Sequence, residues 1–152
     1  MIVPTVTSTI APSVSPSAAP VGSAYTLGAT IVTNGEFTTD TAWTKGSPWL
    51  IDFGDNNRAI TFGGINASSI LSQSLTTEDG AEYRVEVEVV AVNEGGIEVS
   101  LGGTEVIPET TGAGVFSGFI TVSGTSNTLE ILAVSGMTAG QIDNVVVQKV
   151  TR

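Results

Sequence analysis

The stretch that decides the fold is Glu82–Val92, which reads EYRVEVEVVAV. Apolar side chains fill its odd-numbered positions, beginning with Tyr83, and charged side chains fill its even-numbered positions as far as Glu88. A period of two places successive side chains on opposite faces of a β-strand. The stretch therefore predicts a long strand with one face buried in a core and the other face in water.

The sequence that follows predicts two hairpins. Ile97–Leu101 repeats the alternation, and a three-residue loop, Glu94–Gly96, would bring the apolar faces of both strands together in one sheet. The dipeptide Gly102-Gly103 suits a two-residue turn and predicts that Val99 pairs with Val106. Three consecutive antiparallel strands are therefore expected in this region.

The rest of the chain from residue 29 onward shows the same pattern of strands and turns. Short runs rich in β-branched and aromatic residues alternate with turns rich in Gly, Asn, Asp and Ser, and no window carries a helical stripe. About ten closely spaced strands are typical of an all-β fold, an antiparallel β-sandwich of the jelly-roll type. The further strands are predicted over 29–33, 43–51, 58–62, 69–75, 115–123, 128–134 and 141–150.

Residues 1–24 differ from the rest of the chain. They contain four of the six prolines and no charged residue. The first charged residue of the chain is Glu36. Such a segment cannot form a helix or a core of its own, and it predicts an extended Pro/Ser/Thr-rich arm before a β-sandwich domain at 25–152. A free tail is one interpretation, but the spaced apolar residues favour an arm that docks on a partner. The anchoring residues would be Ile2, Val3, Val6, Ile10, Val14 and Val21.

The composition of the 152 residues excludes several classes of function. The chain has 5 basic and 15 acidic residues, a net charge of −10, and neither Cys nor His. Disulfides, zinc sites built from Cys and His, thiol chemistry and a Ser-His-Asp triad are therefore excluded. An acidic surface repels phosphate backbones, and no apolar run approaches the ~20 residues of a membrane span. We expect neither a nucleic acid nor a membrane as partner.

Catalysis would have to rest on carboxylates, and their placement does not favour it. Strand alternation directs Glu82, Glu86 and Glu98 to solvent, whereas glycoside hydrolysis needs two carboxyl groups that face each other across a cleft. The densest run of oxygen donors, 52–57, lacks the spacing of an EF-hand loop and is typical of a turn. We expect a protein that is not an enzyme.

Trp43 and Trp49 are the candidates for contact with a ligand. An even number of positions separates them, so both can lie on one face of a single strand. Indole faces stack on the C–H groups of sugars, but a small sandwich also needs large side chains between its sheets. The sequence leaves both roles open for each residue, glycan stacking and core packing.

Motifs spread over residues 29–150 carry a resemblance to a known family. They are Ile31–Phe37, Trp43, Trp49, Leu71–Leu75, 83–85, 99–104 and 140–147. These motifs resemble the galactose-binding-like jelly rolls, the fold of many carbohydrate-binding modules. In style they look most like the versions found in tailed-phage virion proteins. The resemblance implies the fold, whereas the ligand of such a fold must be argued from its site.

The same resemblance implies a structural calcium ion. Family members often hold this ion between an acidic turn after the first strand and an Asp of the last strand, positions that match Glu36 and Asp143 here. The chain departs from the usual motif at Thr38, where family members carry the acidic residue. Apart from this calcium ion, we expect no cofactor.

These features lead to one expected function and two alternatives. The first is a phage virion structural protein, a capsid decoration (cement) protein on the virion surface, assembled in the host cytoplasm and anchored through its N-terminal arm. Its partners would be the major capsid protein or a tail protein, and we expect a homo-oligomer, for which the resemblance suggests a trimer. The alternatives are a carbohydrate-recognition module of a tail fibre or baseplate that contacts host-surface glycan, and an accessory module of a polysaccharide-degrading enzyme.

Overall fold

The computed structural model describes residues 24–62, 69–134 and 136–152 as an all-β structure of eleven strands. The described residues contain no helix, and hence no helix of the length and apolarity needed to cross a bilayer. The strands are β1 Thr26–Thr30, β2 Thr44–Lys45, β3 Leu50–Asp52, β4 Arg58–Phe62, β5 Ser69–Thr76, β6 Glu82–Asn93, β7 Ile97–Leu101, β8 Thr104–Thr110, β9 Gly114–Thr121, β10 Ser126–Ala133 and β11 Ala139–Thr151.

The strands form two antiparallel sheets that pack face to face. The first sheet has the order β3-β4-β11-β6-β9, with β1 beside the second half of β11, and the second has the order β2-β5-β10-β7-β8. This is the antiparallel β-sandwich of the jelly-roll type predicted from the alternation. The predicted arm, including all six of its proposed anchoring residues, lies outside the described residues except for Ala24.

The core is built from the inward-facing residues of the long central strands. Val85, Val87 and Val89 of β6 face Leu129 and Ile131 of β10, and all five are completely or almost completely buried. Full burial of one such side chain contributes about 1.5–3 kcal/mol, so these rows of aliphatic side chains provide the main force that holds the two sheets together.

The predicted hairpin between β6 and β7 is wrong. β6 pairs with β11 and β9 in the first sheet, whereas β7 pairs with β10 and β8 in the second. The connection at 94–96 therefore crosses from one sheet to the other. Alternation specifies which face of a strand is buried, and that face meets the core equally well from either sheet.

A β-bulge ends the regular alternation of β6. Val89 pairs with Ile142 and Ala91 with Gln141, which leaves Val90 as an extra residue. One extra residue reverses the faces beyond it. Ala91, which the sequence placed in the buried row, is consequently exposed, and Val92 packs against the core instead.

The two-residue turn at Gly102-Gly103 is confirmed, since Leu101 pairs with Thr104 across it. Both glycines have positive φ, 61° and 79°, a conformation that side chains disfavour. The register shifts further along, where Val99 pairs with Ile107 and not with Val106 as predicted.

Candidate functional site

Both tryptophans lie in the core and not on a ligand-binding surface. The predicted strand at 43–51 is in fact two short strands, β2 and β3, that belong to different sheets. Trp43 is 7% exposed and Trp49 is 5% exposed. Their indole N–H groups donate to the carbonyl oxygens of Asn34 at 2.9 Å and Ser69 at 3.2 Å. Neither ring presents a face on which a sugar could stack.

The loop between β1 and β2 is held in place by two side-chain amides. Buried Gln73 accepts from Thr33 N and donates to Thr33 O, both at 2.8 Å, and also donates to Ala42 O at 3.1 Å. The Asn34 amide donates to two carbonyl oxygens further along the loop, at 2.7 and 3.1 Å. A loop whose backbone groups are fixed in this way presents its outer residues in a defined position.

This loop forms one wall of an open cleft of about 260 Å³. The other wall is the bulge of β11, which approaches so closely that a Cβ on Gly35 would lie 2.1 Å from Val145 O. A hydrogen bond from Val145 N to Gly35 O, at 2.9 Å, joins the two walls. The polar side chains lining the cleft are those of Thr30, Asn34, Glu36, Thr38 and Asn144.

Of the two residues suggested for calcium, Glu36 lines the cleft and Asp143 precedes Asn144 on the opposite wall. Burial raises the pKa of Asp143, with further contributions from the negative charges of Glu88 and Glu36, while a hydrogen bond from Asn144 N and the charge of Arg58 act in the opposite direction. Nowhere in residues 24–62, 69–134 and 136–152 do three or more acidic side chains gather in a group that could hold a metal ion. Because Ca²⁺ takes six to eight oxygen ligands, Glu36 and Asp143 would supply only two of the ligating side chains, and the calcium site stays a prediction.

A polar row leads from the cleft across the outer face of the first sheet. The strand pairing places Thr30 beside Gln148, Gln148 beside Arg84, and Arg84 beside Phe119. Gln148 donates to Gly28 O at 2.9 Å, and the Arg84 guanidinium pairs with the carboxylate of the adjacent Glu86. The row crosses four strands, which is a distance of about 14 Å at the usual strand spacing.

The far end of the row carries two exposed aromatic rings. Phe119 is 44% exposed and Tyr25 is 43% exposed, and their rings meet edge to face with centroids 5.5 Å apart. The Arg152 guanidinium lies 5.7 Å from the Tyr25 ring and forms two hydrogen bonds with Glu82, at 2.9 and 3.0 Å. This pairing lowers the pKa of Glu82 and raises that of Arg152.

We call the four residues of the row together with Tyr25 the outer track: Thr30, Gln148, Arg84, Phe119 and Tyr25. The track carries a hydroxyl, an amide and a guanidinium group, each of which also bonds within the protein, and two partly exposed aromatic rings at its end. Polyhydroxylated ligands need this combination, because their hydroxyl groups require hydrogen-bond partners and their C–H faces pack on aromatic rings.

Sequence reasoning missed Phe119 as a surface aromatic, although a signal was present. Along β9, Ser117, Phe119 and Thr121 share one face, and Phe116 and Ile120 share the other. A large aromatic residue that lies on the same strand face as polar residues is predicted to have an exposed ring. Tyr25 carried no such signal, because it precedes β1 and reaches Phe119 only through the tertiary structure.

No protein-family model matches the sequence, and no curated protein matches it. Solved structures do match the fold. The enzymatically active domain of tailspike protein 4 from bacteriophage CBA120 aligns with a TM-score of 0.57 and 14% identity over 79% of this chain and 21% of the tailspike chain. The match therefore spans about a fifth of that tailspike chain.

Two further matches are proteins that contain carbohydrate-binding modules. The CBM22-1–GH10 modules of Clostridium thermocellum xylanase 10B, complexed with xylohexaose, align with a TM-score of 0.60 and 14% identity over 80% of this chain and 28% of that chain. TmCBM61, complexed with β-1,4-galactotriose, aligns with a TM-score of 0.52 and 20% identity over 79% of this chain and 98% of that chain. The likeness shows that this chain has the jelly-roll fold of carbohydrate-binding modules.

Proposed function

We propose that this chain is a non-catalytic carbohydrate-recognition module, and that the outer track is its glycan-binding surface. The observation that carries the proposal is the Tyr25–Phe119 pair, exposed at the end of a row of hydrogen-bonding side chains on a carbohydrate-binding-module fold. The track runs for about 14 Å, which suits several sugar units of a chain better than a single ring.

The charges of the chain favour a neutral glycan. The chain carries a net charge of −10, and the two cations near the track, Arg84 and Arg152, are each paired with a glutamate. A polysaccharide rich in carboxylates or sulfates would meet net repulsion with no free cation on the track to offset it. Neutral hexose or pentose polymers are therefore the proposed class of ligand.

The proposal of a non-catalytic module rests on the carboxylates near the track and the cleft. Glu86 and Glu82, beside the track, are ion-paired with Arg84 and Arg152, and among the residues that the structure describes Glu36 is the only carboxylate that lines the cleft. Hydrolysis of a glycosidic bond ordinarily needs a second carboxyl group facing the first, and the chain has neither Cys nor His to replace it. Recognition without bond cleavage is the activity that these residues support.

The likeness to a phage tailspike supports a place for this module on a host-contacting virion protein. That is the tail-fibre or baseplate alternative derived from the sequence. The capsid decoration role stays a prediction: the arm on which it depends lies outside the described residues, and none of the three matches above is a capsid protein.

A panel of immobilised polysaccharides tests the proposed function. The native chain should be retained on at least one neutral polymer, such as xylan, galactan, mannan or a neutral host O-antigen, and should release no reducing sugar from it. Tyr25→Ala should weaken that retention. Failure to bind any neutral polymer, or the release of reducing sugar from one, would overturn the proposal.

A further inference from the structure

The free edge of β1 differs from the other sheet edges. All five residues of Thr26–Thr30 are exposed, and among the described residues the strand pairs only with β11. The strand contains no charged residue and no proline. Open edges of this kind readily accept another strand, and proteins ordinarily block them with charges, prolines or a covering segment.

The other edges of the two sheets are blocked in these ways. β2 carries Lys45, β3 carries Asp52, and β8 carries Glu105, Pro108 and Glu109. β9 is also uncharged, but β8 packs closely against its face, where a Cβ on Gly118 would lie 2.3 Å from Val106 O. Among the edge strands in the described parts of the chain, β1 is therefore the one that carries neither a charge nor a proline and has no strand of the other sheet packed closely against it, although its pairing with β11 shifts register between Leu27 and Thr30.

The chain itself contains a segment suited to this edge. Residues 5–10 read TVTSTI, a proline-free window between Pro4 and Pro12 in which five of the six residues are β-branched. Val6 and Ile10 share one face, and three threonines share the other. This alternation and composition are typical of a strand in a sheet. Like β1, the segment has no charge that would oppose pairing.

We propose that residues 5–10 of one copy of this chain add as a strand to the free edge of β1 in a second copy. The linking residues 11–25 contain Pro12, Pro16 and Pro20 and end where β1 begins. To pair with its own β1, this proline-rich link would have to double back. In the extended polyproline form, ~15 residues reach roughly 46 Å, which carries the segment to another molecule.

Strand addition has a consequence for ligand binding, although it does not depend on glycan recognition. The added strand lies at the edge of the first sheet and extends that sheet beyond β1. The outer track on its face stays open, so the joined copies would present several tracks at once. Weak individual contacts with a repetitive ligand are strengthened by such multivalency.

Disulfide trapping tests the inference directly, because the native chain has no cysteine. Thr7→Cys chains mixed with Thr26→Cys chains should form a mixed disulfide dimer on oxidation. The yield should be several-fold higher than for Thr7→Cys mixed with Thr104→Cys, whose cysteine lies at an exposed turn in the other sheet. Equal yields in the two mixtures would overturn the proposal.

Sedimentation velocity of full-length chains gives an independent test. The native chain should associate, whereas Val6→Pro/Ser8→Pro and Leu27→Lys should each sediment as monomers. The matched controls are Ser17→Pro/Ala19→Pro in the linking residues and Leu50→Lys on β3, because Leu50 and Leu27 are both 38% exposed. Both controls should associate like the native chain. A monomeric native chain, or association that survives the Val6/Ser8 change, would contradict the inference.

Discussion

The side-chain amide of Gln73 forms a closed pair of hydrogen bonds with the backbone of Thr33, each 2.8 Å long. Gln73 faces inward from β5, whereas Thr33 lies in the loop that follows β1. A buried side chain of one sheet thus determines the path of a loop that leaves the other sheet. This loop forms the wall of the cleft at which the outer track begins.

Replacement of Gln73 by Leu should destabilise the fold by about 2 kcal/mol or more, because it leaves the backbone groups of Thr33 without their buried partners. Urea denaturation followed by far-UV circular dichroism measures the change. Ser74→Ala, at the adjacent exposed position, is the control and should lie within about 0.5 kcal/mol of the native chain. Equal stability of the two variants would show that Gln73 does not fix the loop.

Gly35→Ala should also destabilise the fold, because the new methyl group would lie 2.1 Å from Val145 O and force the two walls of the cleft apart. We expect a cost of about 1–3 kcal/mol, in the range found for overpacked sites. Gly112→Ala is the matched control, since nothing lies within 4 Å of the added carbon there. A thermal melt that is the same for both variants would contradict the close approach of the two walls.

The raised pKa of Asp143 predicts a pH-dependent effect of Asp143→Asn. The folded state holds the proton of this carboxyl more tightly than the unfolded state, so the native chain loses stability as the pH rises from the ordinary Asp value of 3.8 through the raised value. Asparagine keeps an acceptor for Asn144 N but carries no charge. The substitution should therefore be more favourable to stability at pH 7 than at pH 4.

Urea titrations at the two pH values, with Asp55→Asn in an exposed turn as the control, measure this difference. A stability difference between Asp143→Asn and the native chain that is the same at pH 4 and pH 7 would show that burial does not raise this pKa.

The burial of both indoles predicts that Trp43→Ala costs about 3–5 kcal/mol of stability, as for other large core residues. It also predicts that glycan titration leaves the tryptophan emission of the native chain unchanged and that iodide quenches it only after unfolding. A shift of the emission maximum on glycan binding would instead place an indole at the ligand.

The parity of apolar residues was sufficient to predict the fold class, because the central strands β5, β6, β7 and β10 each have one buried face and one more exposed face. Strand pairing could not be read in the same way. β6 and β7 each bury their own apolar row, and this row fits the core from either sheet. The bulge at Val90 depends on the partner strand β11, which lies about fifty residues away in the sequence. Local alternation therefore extended the predicted buried row one residue too far, to Ala91.

The binding surface was predicted less well, for a related reason. The rarity of tryptophan drew attention to Trp43 and Trp49, but large rare side chains are also those that a small core needs most. Phe119 is recognisable from the parity of β9, whereas its contact with Tyr25, which precedes the strand at the opposite end of the four-strand row, exists only in the folded sandwich. Because the residues of the track come from four strands, their proximity depends on the register between those strands, which a local sequence pattern does not show.

The most direct test of glycan recognition by the outer track is to compare two phenylalanine variants by isothermal titration calorimetry with the polysaccharide that the native chain binds. Phe119→Ala removes a ring of the track, and Phe62→Ala removes a ring that is 52% exposed on β4 of the same sheet but outside the track. If the Phe119 ring contributes about 1.4 kcal/mol to the free energy of binding, its removal weakens binding about tenfold. Phe119→Ala should weaken binding by at least this factor, and Phe62→Ala should leave the affinity unchanged. Equal affinities of both variants and the native chain would contradict the proposed surface.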